Sequence, residues 1–153
     1  MATSTGTPSR IQLKGNSGCY EEYLAAGVIK PGHLIRVQLN GFVIPHDFER
    51  GQAERMFALE DALQGRGIET AYASGERVFC YLAVPGEQIY AWLAFGQSVQ
   101  IGDFLASDGN GNLAAIAESG GATFQRDSVA VAMEAVDNND SGDNNARIKV
   151  RIL

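Results

Sequence analysis

The chain has 153 residues, 18 of them acidic and 12 basic, and its formal net charge is −6. This acidic balance, with no run of Lys or Arg, argues against direct binding to nucleic acid, because a phosphate backbone needs a basic surface. No apolar run approaches the ~20 residues of a membrane span, and the N-terminus lacks the apolar region of a signal peptide, so we expect a soluble protein made in the cytoplasm with no membrane partner.

Residues 1–19 are predicted to form an extended N-terminal arm, and residues 20–153 a single β-rich body domain. The start of the arm is rich in Ser, Thr and Gly and has no apolar anchor to offset its ordering entropy. Residues 10–14 then alternate, with Ile11 and Leu13 on one side. This pattern predicts a short strand, or an arm that is completed by the sheet of a partner.

The next part of the chain mixes helical and strand signals. Residues 21–29 predict a single helical turn that ends at the Lys-Pro-Gly sequence of residues 30–32. Residues 34–39 alternate apolar and polar side chains and predict a strand. Residues 52–64 leave two alternatives open, because their apolar spacing favours a helix whereas residues 56–60 also fit a strand.

The pattern becomes strongly β in the second half of the chain. Residues 77–84 form an apolar run rich in aromatic and β-branched side chains, and a turn follows at residues 85–87. Residues 88–94 then place small and aliphatic side chains on one face and Tyr90 and Trp92 on the other. Because both faces are filled, we expect this strand to be sandwiched or to lie at an interface.

The C-terminal part predicts short strands joined by tight turns. Residues 96–107 contain two short strands, and the Asp-Gly-Asn-Gly sequence of residues 108–111 predicts a hairpin turn. Residues 128–136 and 147–153 alternate on either side of a polar loop and predict the clearest hairpin. The last strand carries Arg and Lys on one face, which we expect near acidic groups of its partner strand or of a neighbouring chain.

Few residues suit catalysis or metal binding. His33 and His46 lie in loop-like stretches and are predicted to be exposed. The spacing of His46 and Asp47 with Glu49 matches no zinc motif, and no nucleophile elbow is present. A hydrolase built on His46 and Asp47 is therefore disfavoured, and we expect no enzyme.

The cysteines and two acidic turns also lack a complete site. Cys80 lies in an apolar run and is predicted to be a small buried hydrophobe, while its pairing with Cys19 stays open. Residues 108–112 and 137–142 imitate calcium loops in part, but the second has Ile148 where a bidentate carboxylate is required. Turn chemistry explains both segments, so we expect no metal and no cofactor.

Seven short motifs follow one another along the chain in an order that resembles the head decoration, or capsid cement, proteins of tailed phages. Each motif is weak alone, because turns and Gly-Asp corners are common, and the specificity lies in their order. The resemblance spans roughly residues 20–153. The motifs are residues 27–32, 53–60, 67–76, 85–87, 99–105, 131–137 and 146–153.

The resemblance implies a mainly β fold, a compact β-barrel or β-tulip-like domain with one or two short helices and an extended N-terminal arm. It favours a strand at residues 56–60. It also implies a homotrimer whose arm joins a β-sheet of the major capsid protein. The residues that we assign to a capsid-binding arm are Arg10, Ile11, Gln12, Leu13 and Lys14. For the trimer interface we assign Tyr90 and Trp92, with a place in the core as the alternative for Trp92.

The function expected from this resemblance is that of a virion structural protein on the outer capsid surface. It would bind as a trimer, cement adjacent subunits of the major capsid protein and stabilise the expanded head after synthesis in the host cytoplasm. The alternative is a small β-barrel module that binds a ligand or glycan and is displayed on the virion. Gene context or capsid binding distinguishes the two.

Overall fold

The structure is a computed structural model that describes residues 7–116, 127–139 and 144–153. The predicted mainly β fold is confirmed, since strands make up 41% of the chain and helix 2%. No helix in the described part is long and apolar enough to cross a bilayer. In chain order the strands are β1 (Gln12–Lys14), β2 (Cys19–Leu24), β3 (Ile35–Val37), β4 (Val43–Pro45), β5 (Met56–Ala58), β6 (Arg77–Leu82), β7 (Gln88–Leu93), β8 (Ser98–Val99), β9 (Phe104–Ser107), β10 (Leu113–Ala115), β11 (Ala130–Ala132), β12 (Val136–Asp137) and β13 (Ala146–Ile152). A 3₁₀ helix at Ala62–Gln64 follows β5.

Five strands close into a barrel in the order β7-β10-β9-β11-β13, and the pairing of β13 with β7 completes the ring. That antiparallel pairing is long, running from Ala146 opposite Leu93 to Arg151 opposite Gln88. The interior is filled by alternate, fully buried side chains from the strands, as the period of a strand requires. They include Ile89, Ala91, Leu93, Leu105, Leu113, Ala130, Ile148 and Val150.

Strand β1 adds to the barrel beside β7. Gln12 lies opposite Ile89 and Lys14 opposite Gln88. Strand β10 meets β7 only further along, where Leu113 pairs with Leu93. The two strands therefore share successive parts of one edge of β7, while β13 occupies the other edge.

A three-stranded sheet, β2-β6-β5, lies between two hydrophobic clusters. Phe57 and Tyr81 belong to the cluster that includes the barrel interior, whereas Met56 and Cys80 belong to a second cluster. The rest of the second cluster comes from buried residues outside the barrel, among them Ile29, Ile35, Val43 and Tyr72. Because β5 and β6 are covered on both faces, their sequences are apolar without alternation.

Hairpins complete the fold. Strands β3 and β4 pair from Ile35 opposite Pro45 to Val37 opposite Val43. The predicted hairpin turn after β9 is confirmed, since β9 pairs antiparallel with β10. The predicted C-terminal hairpin is also confirmed, because β11 pairs with β13 from Ala130 opposite Ile152 onward.

Two local predictions are corrected by these pairings. The helical turn predicted at residues 21–29 is wrong, because Cys19–Leu24 is a strand laid along β6. Of the two alternatives for residues 52–64, the strand is confirmed at Met56–Ala58, and only Ala62–Gln64 is helical. In both cases an available sheet edge overrides local helix propensity.

Candidate interaction surface

The segment assigned to a capsid-binding arm lies against the chain's own barrel. Ile11 is fully buried in the barrel cluster, and Leu13 packs against that cluster. The Ile11 N–H donates to Glu60 Oε2 at 3.1 Å, and the Ile11 carbonyl accepts from the Tyr90 N–H at 2.7 Å. Residues 10–14 thus lie against the sheet of their own chain. Their contact with a capsid remains a prediction.

The connection between β1 and β2 is held by a buried carboxylate. Glu87 is 5% exposed, and its oxygens accept from the Tyr81 hydroxyl at 2.6 and 2.7 Å, the Val84 N–H at 2.8 Å and the Ser17 N–H at 3.0 Å. The Tyr81 hydroxyl in turn accepts from the Gly18 N–H at 3.0 Å. Burial alone would raise the pKa of Glu87, but these hydrogen bonds outweigh it and lower the pKa below its ordinary value. We call this cluster the Glu87 latch.

The same connection is tightly packed. Gly15 has a φ of 91°, a left-handed conformation that glycine adopts without strain. A Cβ at Gly18 would lie 2.1 Å from the Leu82 carbonyl oxygen. A side chain is therefore excluded at Gly15 and at Gly18, where the chain passes from the barrel to the second sheet.

Strand β2 is the exposed edge of that sheet. It pairs with β6 without interruption, from Cys19 opposite Leu82 to Leu24 opposite Arg77, and no strand in the described ranges pairs with its other edge. Tyr20 is 60% exposed. Its hydroxyl donates to Gln12 Oε1 at 2.6 Å and ties β2 to β1.

An open groove of about 890 Å³ lies between β1, β2 and the 3₁₀ helix. Phe79 and Tyr20 line the groove from the β2-β6 sheet, Leu13 lines it from β1, and Leu63 from the 3₁₀ helix. Its lining contains three carboxylates (Glu21, Glu22 and Glu60) and one basic side chain, Arg10. The groove is thus an acidic and partly aromatic surface beside an open strand edge.

The residues assigned to a trimer interface have neighbours within the same chain. Tyr90 is 8% exposed. The Trp92 indole N–H donates to the Pro31 carbonyl at 2.9 Å, and the Arg147 guanidinium lies 4.1 Å from the centroid of the indole ring. Arg147 also pairs with Glu69 at 3.3 Å, so this cation of the last strand finds its acidic partner in its own chain. A trimer contact at these residues remains a prediction.

Both histidines are buried, and the prediction that they are exposed is wrong. His33 Nδ1 accepts from the Lys30 N–H at 3.1 Å, and burial together with the Lys30 charge lowers its pKa to about 4. His46 is 1% exposed. Its Nε2–H donates to the Gln52 carbonyl at 3.0 Å, so its Nδ1 accepts from the Ser107 hydroxyl at 2.7 Å. The burial of the two histidines depends on how the β3–β4 hairpin packs in the fold. No local sequence pattern marks that packing.

The remaining candidate ligands are engaged in structural contacts. Asp47 forms a paired contact with the Arg36 guanidinium. Asp108 accepts from the N–H groups of Asn110 and Asn112, which is the turn chemistry expected for that segment. The other calcium-like segment falls partly outside the described residues. Within the described ranges, no three His, Cys, Asp or Glu side chains are grouped to hold a metal ion.

The two cysteines are free thiols. Cys80 is buried, as predicted, and burial raises its pKa to about 12. Cys19 is exposed and lies opposite Leu82, whereas Cys80 lies opposite Glu21. The sheet register therefore holds the two thiols at non-opposed positions.

Comparison with known proteins shows a likeness of fold. No family profile matches the sequence, and no curated protein matches it. Among solved structures, the chain is similar to the head fiber gp8.5 N base in bacteriophage phi29, with a TM-score of 0.55 and 9% sequence identity. The likeness covers 89% of this chain and 94% of that one. The two chains thus share one fold along nearly their whole length, at an identity too low to transfer a role directly.

Proposed function

We propose that this chain is a virion structural protein that binds the outer surface of a phage head as a homotrimer and cements adjacent major capsid protein subunits. The observation that carries the proposal is the end-to-end likeness to the base of a phage head fiber. The order of motifs in the sequence, which resembles capsid decoration proteins, supports it independently. Fold alone does not determine function, so the proposal also needs surfaces suited to binding.

The described surface exposes large apolar side chains in several parts of the fold, two of which are considered for binding. One group lies on the β3–β4 hairpin and the loop after it, where Leu39 is fully exposed and Phe48 is 57% exposed. The other lies on the barrel, where Ile101 is 71% and Phe104 41% exposed. Exposed apolar patches commonly mark interaction sites. A cementing trimer needs two such surfaces, one toward its own copies and one toward the capsid.

The test uses the purified protein and expanded capsids that lack it. Light scattering in solution should give the mass of three copies. Cosedimentation should show saturable binding, and bound capsids should resist heat or loss of divalent cations better than bare ones. A monomer that leaves capsids unbound and unprotected would contradict the proposal.

A glycan-binding module is the second candidate, and the groove beside Tyr20 favours it. An exposed aromatic ring flanked by Gln12 and Glu22 is a suitable surface for a sugar, with apolar contact from the ring and hydrogen bonds from the rim. Glycan-array binding that disappears in Tyr20→Ala, without capsid binding, would favour this candidate over the first.

A further inference from the structure

We propose that the open edge of β2 receives an extended segment of the capsid as an additional strand, and that this segment carries basic side chains between apolar ones. This inference rests on the proposed function and names the binding mode of one surface. It reverses the direction of strand donation expected from the sequence, because here the chain accepts a strand.

The hydrogen-bond pattern identifies which main-chain groups of β2 are available. The Ala25 N–H donates to the Glu76 carbonyl at 2.9 Å, on the β6 side. Since an antiparallel strand directs successive residues to opposite sides and the β2–β6 register is unbroken, Tyr20, Glu22 and Leu24 direct their N–H and C=O groups to the open edge. The next residue in this series, Ala26, donates to the Val43 carbonyl at 2.9 Å. Immediately after β2, the chain therefore forms a main-chain hydrogen bond of its own on this same side of the strand.

A second copy of β2 is a poor occupant of this edge. Antiparallel pairing of two copies would bring Glu21 and Glu22 of one copy close to the same residues of the other. Like charges directly opposite one another destabilise a pair of strands, and charge on an edge strand is a common means of preventing such association. The same glutamates attract Lys or Arg on a foreign strand.

The side chains of β2 define the pattern of that strand. Tyr20, Glu22 and Leu24 share one face of β2, and Tyr20 and Glu22 line the groove, so the opposing residues should be apolar, basic and apolar. Glu21 also lines the groove and favours a further basic neighbour. Glu22 already pairs with Arg77 at 2.8 Å, but this pair is exposed and such pairs contribute little. The groove, at about 890 Å³, has room for the incoming side chains.

The decisive comparison is between Glu22→Pro and Glu22→Gln in capsid binding. Both variants lose the charge, and only proline also removes the outward N–H, a change that edge strands tolerate. Glu22→Gln should weaken binding a few-fold, and Glu22→Pro about tenfold further, as expected for a lost main-chain hydrogen bond. If the wild-type protein binds capsids and the two variants bind them with equal affinity, the inference is overturned while the proposed function stands.

Amide hydrogen exchange on the wild-type protein serves if Glu22→Pro fails to fold. Binding to capsids should slow the exchange of the Tyr20, Glu22 and Leu24 amides. Unchanged exchange at these three amides in a saturated complex would overturn the inference.

A third measurement does not depend on the capsid. Two synthetic peptides of equal length alternate valine and threonine around a central pair, which is Lys-Lys in one and Glu-Glu in the other. The lysine peptide should shift the amide resonances of β2, and the glutamate peptide should not. Equal effects of the two peptides, or no effect from either, would contradict an edge that is selective for basic strands. This outcome is independent of whether the proposed function holds.

Discussion

The first two strands of the chain are held in opposite ways. β1 makes only two residue pairs with β7, but it buries Ile11 completely in the barrel cluster. β2 is paired with β6 along its whole length, yet most of its side chains are exposed. One strand is thus fixed by a side chain and the other by its main chain. The comparison indicates that β2 has an unpaired main-chain edge left for a partner.

The largest expected effect comes from removing the anchor of β1. Ile11→Ala should lower the free energy of unfolding by about 2–5 kcal/mol, because it leaves a cavity in a closed core. The matched control is Leu63→Ala on the exposed 3₁₀ helix, which should change stability by less than about 0.5 kcal/mol. Urea unfolding followed by Trp92 fluorescence measures both. Equal, small changes would mean that residues 10–14 form a detachable arm after all.

The Glu87 latch should give the next largest effect, and that effect should depend on pH. Glu87→Gln should cost about 1–3 kcal/mol at neutral pH, because hydrogen bonds to an ionised group are replaced by weaker ones. The folded-state pKa of Glu87 is lowered, so the ionised carboxylate stabilises the fold above the unfolded-state pKa of about 4.3. That contribution is lost as the pH falls through the folded-state pKa.

Urea unfolding of wild type and Glu87→Gln from about pH 7 to pH 3 tests this dependence. The difference between the two proteins should stay constant near neutrality and decline in acid. A difference that persists unchanged at the lowest pH would show that the carboxylate charge does not hold the connection.

Two tyrosine-to-phenylalanine changes compare the latch with the open face of β2. Tyr81→Phe removes the hydroxyl that joins Glu87 to the Gly18 N–H and should cost about 1–2 kcal/mol. Tyr23→Phe removes an exposed hydrogen bond to Glu21 and should cost less than about 0.5 kcal/mol. Thermal unfolding of both variants is sufficient. A larger loss in Tyr23→Phe would reverse the assignment of the two sites.

The smallest effect concerns exchange in the unaltered, free protein. Amides of Cys19, Glu21 and Tyr23 face β6 and should exchange slowly, whereas those of Tyr20, Glu22 and Leu24 should exchange quickly. Exchange followed by NMR resolves this alternation. Uniform protection along β2 would mean that its outer edge is already covered.

The same two strands show how far sequence reasoning reaches. The alternation of Ile11 and Leu13 predicted β1, because a strand with one buried face records that burial in its sequence. For residues 21–29, which include the end of β2, the sequence predicts a helical turn, because a strand exposed on both faces has no alternation to detect. Its conformation is determined by the edge of β6, which lies more than fifty residues away in the chain.

The contacts of the candidate surface are harder to predict than the fold. The sequence marks Glu87 only as part of a Pro-Gly-Glu turn, and its hydrogen bond to Ser17 joins residues 70 positions apart. No local signal marks such a contact. The sequence places Tyr90 and Trp92 on one strand, as the structure does. Their contacts with Arg147 and Pro31 depend on the closed barrel.

The placement of β1 and β13 on either side of β7 has a practical consequence for engineering. Both strands run antiparallel to β7 and hence parallel to each other. A cargo domain fused ahead of β1 and one fused behind β13 would therefore start out in opposite directions along β7. If one end of the barrel rests on a particle surface, only one of the two fusions would obstruct it, and the other would be presented outward.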